Sequence, residues 1–241
     1  ISKYSFVIAR PYPLPSISFS NEFSSLSPFT NTLSFSSSFI PLPVSATLNN
    51  MIQIAPSMLA ADFLHLEKDV ETVNKHADLF HLDVMDGVFV PNISFGFPII
   101  EAIARKAEKP MDVHLMIINP ENYVERFAKV GAEMISFHLN ATKDPAAVLR
   151  QIRSYGVKAG LVINPDLPVE SLFPYLAEAD FILLMSVFAG FGGQKFIEAT
   201  YERIRTLKAE IERQGLDIPI QVDGGVSASN AASLAEAGAT V

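Results

Sequence analysis

Beyond residue 50, short apolar runs alternate with stretches in which apolar residues recur every three or four positions. The runs begin near Ile52, Leu79, Met111, Glu133, Val157, Asp180 and Ile218, and their length and bounds predict strands. Between them the spacing predicts amphipathic helices, among them 62–76, 120–130, 144–154 and 196–213. Cap residues support several of these starts: Asp62 with Glu67 and Asp69 close behind, Asn119-Pro120, and Ser227. Strand and helix in regular alternation wind a parallel sheet with helices outside it. Seven such units are present, and an eighth strand is expected to start at Ala239-Thr240-Val241, where the sequence stops. Two α/β architectures share this alternation. The first strand runs into Ala55-Pro56-Ser57 and not into a Gly-x-Gly-x-x-Gly turn, which favours a (β/α)₈ TIM barrel, truncated before completion of its eighth βα unit, over a doubly wound open sheet. The expectation is that the first and seventh strands keep unpaired edges, so that 51–241 alone aggregates or packs loosely.

Residues 1–50 read differently. Ser, Phe and Pro dominate, Glu22 is the only acid, and Lys3 and Arg10 are the only bases. Pro11-Tyr12-Pro13-Leu14-Pro15 and Ser34-Phe35-Ser36-Ser37-Ser38 carry neither strand nor helix periodicity, and repeated Pro removes backbone donors. A disordered extension is expected, with no strand able to stand in for the eighth. It reads either as an organellar transit peptide, Ser-rich and acid-poor though low in Arg, or as an upstream stretch before a true start at Met51. A cytoplasmic location follows from the second reading and a plastid location from the first. The barrel domain is 51–241.

With 49% apolar residues in a chain of 241, one large core can be buried. The sequence has no cysteine, which excludes disulfides, thiol nucleophiles and thiolate metal sites; any metal must be held by His, Asp or Glu. A formal charge of −8 argues against a nucleic-acid partner. No apolar run reaches the roughly 18 to 20 residues of a membrane span. Homo-oligomerisation is an open reading.

Chemistry concentrates at strand ends. In His81-Leu82-Asp83-Val84-Met85 the two-residue period puts His81, Asp83 and Met85 on one face. Asp112-Val113-His114-Leu115-Met116 repeats the device, and Asp223 ends the seventh strand at the same level. A lone His or Asp at a strand end is commonly a hydrogen-bonded structural residue. Here two imidazoles and two carboxylates, His81, Asp83, His114 and Asp223, converge from three strand ends at the C-terminal mouth, where active sites of this fold lie. That N₂O₂ set suits one divalent ion, Zn, Fe, Mn or Co, and four such groups left unpaired would be costly. A second constellation is glycine-rich: Gly190-Phe191-Gly192-Gly193 and Gly224-Gly225, each expected to lead into a helix start where backbone N–H groups hold an anion.

Taken together, Ile54-Ala55-Pro56-Ser57, His81-Leu82-Asp83-Val84-Met85-Asp86-Gly87, Val90-Pro91-Asn92-Ile93, Asp112-Val113-His114-Leu115-Met116, Gly190-Phe191-Gly192-Gly193-Gln194 and Val222-Asp223-Gly224-Gly225-Val226 resemble, in order, the motifs of the ribulose-phosphate 3-epimerase family. The resemblance implies epimerisation at C3 of a phosphorylated ketose, D-ribulose 5-phosphate to D-xylulose 5-phosphate, through an enediolate. It implies His81, Asp83, His114 and Asp223 as metal ligands, with Asp83 and Asp223 also the acid/base pair. Substrate contacts fall to Ser57, His114 and Asp223, and phosphate contacts to Gly190, Phe191, Gly192, Gly193, Gly224 and Gly225. Met85, Met116 and Met185 match cavity-lining positions, though core packing explains them equally. Two rivals remain: a 3-epimerase acting on D-allulose 6-phosphate, and a non-catalytic sugar-phosphate-binding remnant. Departures from the family pattern are Phe188-Ala189 in place of Asn-Pro, Asn140 in place of a carboxylate, and the absent eighth strand with its Gly-Ser turn.

Overall fold

A computed structural model describes residues 6–9 and 52–241. A strand β1 (Phe6–Ala9) and a strand β2 (Gln53–Pro56) precede helix α1 (Leu66–His76). Then follow β3 (Phe80–Met85), α2 (Phe97–Ala104), β4 (Met111–Met116), α3 (Val124–Val130), β5 (Ala132–His138) and α4 (Pro145–Ser154). The chain continues through β6 (Lys158–Ile163), a 3₁₀ segment Val169–Glu178, β7 (Phe181–Met185), α5 (Thr200–Arg213), β8 (Ile220–Asp223) and α6 (Ala231–Ala237). All seven strands expected beyond residue 50 are present, each within about two residues of its expected start. Strands β3 to β8 lie side by side in chain order, all parallel. A parallel bridge from Ser57 to His81 sets β2 beside β3. This sequential parallel order, with helices between strands, is the order of a (β/α)₈ barrel wall. At the other end Thr240 N donates to Ile220 O at 3.0 Å and Val222 N to Val241 O at 3.0 Å, so Ala239–Val241 takes the place beside β8 expected of an eighth strand.

The two edges expected to stay unpaired are both met, β2 by β1 and β8 by residues 240–241. The segment 1–50 was expected to supply no strand, yet Phe6–Ala9 pairs antiparallel with β2, Phe6 opposite Pro56 and Ala9 opposite Gln53. Phe6, Val7 and Ile8 are strong strand formers in a row, and an unpaired edge accepts a partner in either direction. The remainder of the extension, and with it the expected disorder of 10–50, lies outside the described residues.

Local chemistry sets the helix bounds. Asp144 Oδ1 accepts from Ala147 N at 3.0 Å, with Pro145 in the first turn, so α4 starts as expected. Its Val148, Leu149 and Ile152 are buried against the sheet side. Asp62 does not cap α1. It accepts from Leu64 N at 3.1 Å in a turn one step upstream, and the helix begins four residues later. Ser227 does not cap α6: the helix follows Asn230, and Ser227 contributes only its carbonyl, which accepts from Ala231 N at 3.0 Å. The segment after β6 is 3₁₀ because Pro174 inside it lacks an N–H and obstructs the α-helical ladder.

Strand register decides what faces the barrel interior. Pairing of Ser57 with His81, Asp83 with His114, His114 with Ser136, Ser136 with Gly160, Gly160 with Phe181 and Met185 with Asp223 puts one continuous set of positions on one face. Phe80, Leu82, Val84, Val113 and Leu115 alternate onto the other face and are buried beneath the helices, as parallel sheets require.

Candidate active site

The C-terminal ends of β3, β4 and β8 bring His81, Asp83, His114 and Asp223 together. One ligand atom from each lies within 4.8 Å of the other three, and all four residues are buried. His114 Nδ1 is 3.0 Å from Asp83 Oδ1 and 3.8 Å from Asp223 Oδ2. His81 faces the same point with Nε2, 3.3 Å from Asp83 Oδ1 and 3.9 Å from Asp223 Oδ2. That Nε2 is buried and makes no hydrogen bond. An orphaned imidazole nitrogen among two carboxylates and a second imidazole is what a divalent ion would satisfy, and the N₂O₂ donor set fits one.

Behind the point the groups are anchored. His81 Nδ1 meets Asp112 Oδ2 at 2.8 Å, and Gln221 Nε2 donates to the same oxygen at 2.8 Å. All three residues are fully buried. Ser57 Oγ donates to Asp83 Oδ2, so the serine expected to contact substrate also holds a carboxylate. Ser186 on the loop after β7 donates from Oγ to Asp223 O at 2.8 Å and steadies the Asp-Gly-Gly turn. From β5, His138 Nε2 lies 3.0 Å from His114 Nε2.

The two carboxyl groups are driven apart. Burial pushes the Asp83 carboxyl up, but His81 and His114 outweigh it and hold the group well below the ordinary carboxylate range. Burial and the neighbouring Asp83 charge raise Asp223 to about 6. Burial lowers the His81 pKa, yet Asp83 and Asp112 outweigh it and raise that ring well above its usual value. The site calls for positive charge. Burial, followed by the adjacent His114, keeps His138 well below the ordinary imidazole range.

A cavity of about 370 Å³ opens over this point. Asp83, Asp223 and Ser57 line its floor, and Gly190, Phe191, Gly192, Gly193, Gly224 and Gly225 line its side. Met85, Met116 and Met185 line it too, while also packing in apolar clusters with Val90 and with Val162, Leu183 and Val187. The two readings of these thioethers therefore coexist. Contrary to expectation, the glycine loops do not open directly onto helices: α5 starts at Thr200 and α6 at Ala231. Any anion held there would be met by loop amides. The turn needs glycine at Gly225, with φ +63° and a Cβ that would meet Phe196 N at 2.6 Å.

Several residues of the quoted motifs carried no role of their own in the sequence. Asn92 Nδ2 donates to Gly190 O at 2.8 Å, tying the loop after β3 to the loop after β7. Gln194 Nε2 donates to Phe188 O at 2.6 Å and Phe191 O at 2.8 Å, folding that loop on itself. Phe188, a departure from the family pattern, lines the cavity and is half exposed. Asn140 points to a solvent-exposed position.

Asp86 fixes the rim. Its carboxylate accepts from Val88 N, Phe89 N and Ile118 N, each at 2.8 Å, joining the loops after β3 and β4. Burial raises its pKa, but these backbone donors outweigh burial and hold it below the ordinary value. Replacing Asp86 with Ala is expected to lower unfolding free energy in urea by about 1–3 kcal/mol. The depressed folded pKa means the contribution is present above the unfolded value of about 4 and is lost as pH falls through the folded one. The stability difference between Asp86→Ala and the parent should therefore shrink in acid; a constant difference from pH 7 down to acid unfolding would count against this.

Comparison with known proteins gives the family. The model of the ribulose-phosphate 3-epimerase family matches residues 53–241. The chain belongs to that family. Ribulose-phosphate 3-epimerase of Synechocystis sp. is 47% identical over 195 residues, covering 80% of this chain and 85% of that protein. The Bacillus subtilis enzyme of the same name is 44% identical over 193 residues, covering 79% of this chain and 89% of its own length. Among solved structures, tryptophan synthase α-subunit from Pyrococcus furiosus superposes with TM-score 0.56 at 16% identity, over 72% of this chain and 78% of that one, a likeness of fold alone. As an epimerase-family member the chain is an isomerase, with a site built on a TIM-barrel scaffold. Among the described residues, no helix is long and apolar enough to cross a membrane.

Proposed function

We propose that this chain interconverts D-ribulose 5-phosphate and D-xylulose 5-phosphate by moving a proton at C3, with Asp83 and Asp223 as the two proton-transfer groups. The observation that carries this is the pair of carboxylates facing one buried point beneath the cavity, one held well below the ordinary carboxylate range and the other raised to about 6. Inverting a carbon requires a base on one face and an acid on the other. Ionised Asp83 removes the C3 proton, the electron pair moves toward the C2 oxygen to give an enediolate, and Asp223 returns a proton to the opposite face. In the reverse direction the two exchange roles. Environments that push two carboxyl pKa values apart suit them to this division.

His81, Asp83, His114 and Asp223 would hold one divalent ion. Bound there, it would stabilise negative charge developing on the substrate oxygens. Ser57 orients Asp83 through its hydroxyl, and Asp112 with Gln221 orients His81. Amides of Gly190, Phe191, Gly192, Gly193, Gly224 and Gly225 would receive the phosphate, since successive N–H groups in positive-φ turns form anion-binding concavities. The family relatives bearing the name ribulose-phosphate 3-epimerase support the pentose over the hexose substrate. The test is turnover of D-ribulose 5-phosphate beside D-allulose 6-phosphate, before and after dialysis against a chelator. Expected are a higher kcat/KM for the pentose, loss of activity on chelation and recovery with Zn²⁺ or Mn²⁺. Preference for the hexose, or full activity after exhaustive chelation, would overturn the corresponding part.

A further inference from the structure

The two histidines of the cluster present different nitrogens. His81 offers Nε2, and its other nitrogen is locked by the Asp112 carboxylate. His114 offers Nδ1, and its other nitrogen meets no carboxylate. It faces a third imidazole, Nε2 to Nε2 at 3.0 Å, with ring centroids 5.1 Å apart and planes 23° apart. That third ring is His138, fully buried at the end of β5. Phe89 packs on it with ring centroids 4.8 Å apart, and its Nδ1 has no hydrogen-bond partner.

Two nitrogens at this distance share one proton, so one ring donates and the other accepts. A neutral imidazole carries a single N–H. For His114 Nδ1 to present a lone pair to an ion, the proton of His114 must sit on Nε2, and His138 Nε2 must then accept it. The proton of His138 is thereby assigned to Nδ1. The competing arrangement puts the His114 proton on Nδ1, pointing at Asp83 Oδ1 3.0 Å away, and leaves no lone pair for metal. Whichever partner accepts at Nε2 decides between these forms. An outer partner that fixes tautomer and ring orientation is a general feature of metal-bound histidine.

We infer that His138 is a positioning residue for the proposed metal centre: as a neutral acceptor in the barrel interior it holds the His114 proton on Nε2 and keeps Nδ1 free to ligate. This rests on the metal reading given under Proposed function. The pairing also makes the ligands unequal. A carboxylate behind His81 strengthens that imidazole as a donor, whereas a neutral ring behind His114 orients it without adding charge.

The test uses the full chain and three variants, His138→Gln, His138→Leu and His138→Phe. Gln places a carbonyl oxygen at about the reach of Nε2 and retains the acceptor; Leu and Phe fill the space without one. Zn²⁺ affinity is measured by competition with a chromophoric chelator, and Co²⁺-loaded protein is followed by its visible spectrum. Expected are a 10- to 100-fold loss of Zn²⁺ affinity in Leu and Phe, the usual scale for an outer partner, with a shifted Co²⁺ spectrum. His138→Gln should stay within about threefold of the parent. Should Leu alone fail to fold, Phe against Gln decides. Equal affinities across all variants, or an equal loss in Gln, would overturn the inference, the second by marking His138 as mere packing. A parent chain that takes up no Zn²⁺ overturns the metal reading itself, and this inference with it, a different result from a parent that binds and variants that do not differ.

Discussion

Replacing Asp223 with Asn in the full chain will lower kcat for epimerisation by at least about 10²-fold, the usual scale for losing a positioned acid or base. The amide is nearly isosteric, and Asp223 meets the backbone just after β7 through its own carbonyl, which accepts from Ser186 N at 2.8 Å. The urea midpoint should therefore stay close to that of the parent. Asp223 is also a proposed ligand, so activity is measured at saturating Zn²⁺ with bound metal quantified; the defect should persist where occupancy is restored. A second signature separates lost chemistry from lost binding. Asp83 remains able to take the proton on its own side, so in deuterated water the epimer whose C3–H faces Asp83 should still exchange that hydrogen without inverting. Near-normal turnover at full occupancy, or loss of exchange from both epimers alike, would sink the two-carboxylate scheme.

The largest expected stability effect lies deeper in the barrel. Phe181 and Gly160 are paired across β6 and β7, and the ring of Phe181 lies where a Cβ on Gly160 would stand. Phe181 is fully buried. Its truncation to Ala is expected to cost about 3–5 kcal/mol, the transfer loss plus the cavity left behind. Gly160→Ala alone should cost about 1–3 kcal/mol by overpacking against the ring. Combined, the two changes should cost clearly less than their sum, because the added methyl enters the space the ring vacates. Urea unfolding of the four chains checks this. Strict additivity would mean that the ring and the glycine do not share the space.

The strands from β2 to β8 and the His81, Asp83, His114 and Asp223 convergence were legible because each rests on local order. An apolar run bounded by turn residues announces a strand, and a period of two puts His81 with Asp83 on one face. What escaped depends on register. Gln221 finds Asp112 across 109 positions of sequence, a meeting fixed by strand alignment and by no local pattern. His138 sits in Ser136-Phe137-His138, where a single His at the end of an apolar strand reads as ordinary core. The strand at Phe6–Ala9 was hidden by its surroundings: three strand-forming residues in a Ser- and Pro-rich stretch look like noise until an open edge selects them. Helix starts near Asp62 and Phe196 were placed too early because turns holding apolar residues, Phe63-Leu64 in one and Ala199 after Phe196-Ile197 in the other, extend the helical spacing upstream of the first true helical turn.

The link from Asn92 to Gly190 O sets a limit on traffic through the mouth. Its two loops belong to β3 and β7, separated by three strands on the described side of the wall, so the bond spans the opening through which any substrate must pass. A single neutral hydrogen bond has a net worth of about 1 kcal/mol, which leaves the link broken roughly one time in six at equilibrium. Such a latch orders the two rims for most of the molecule's life, yet would delay the passage of a small molecule by less than about an order of magnitude.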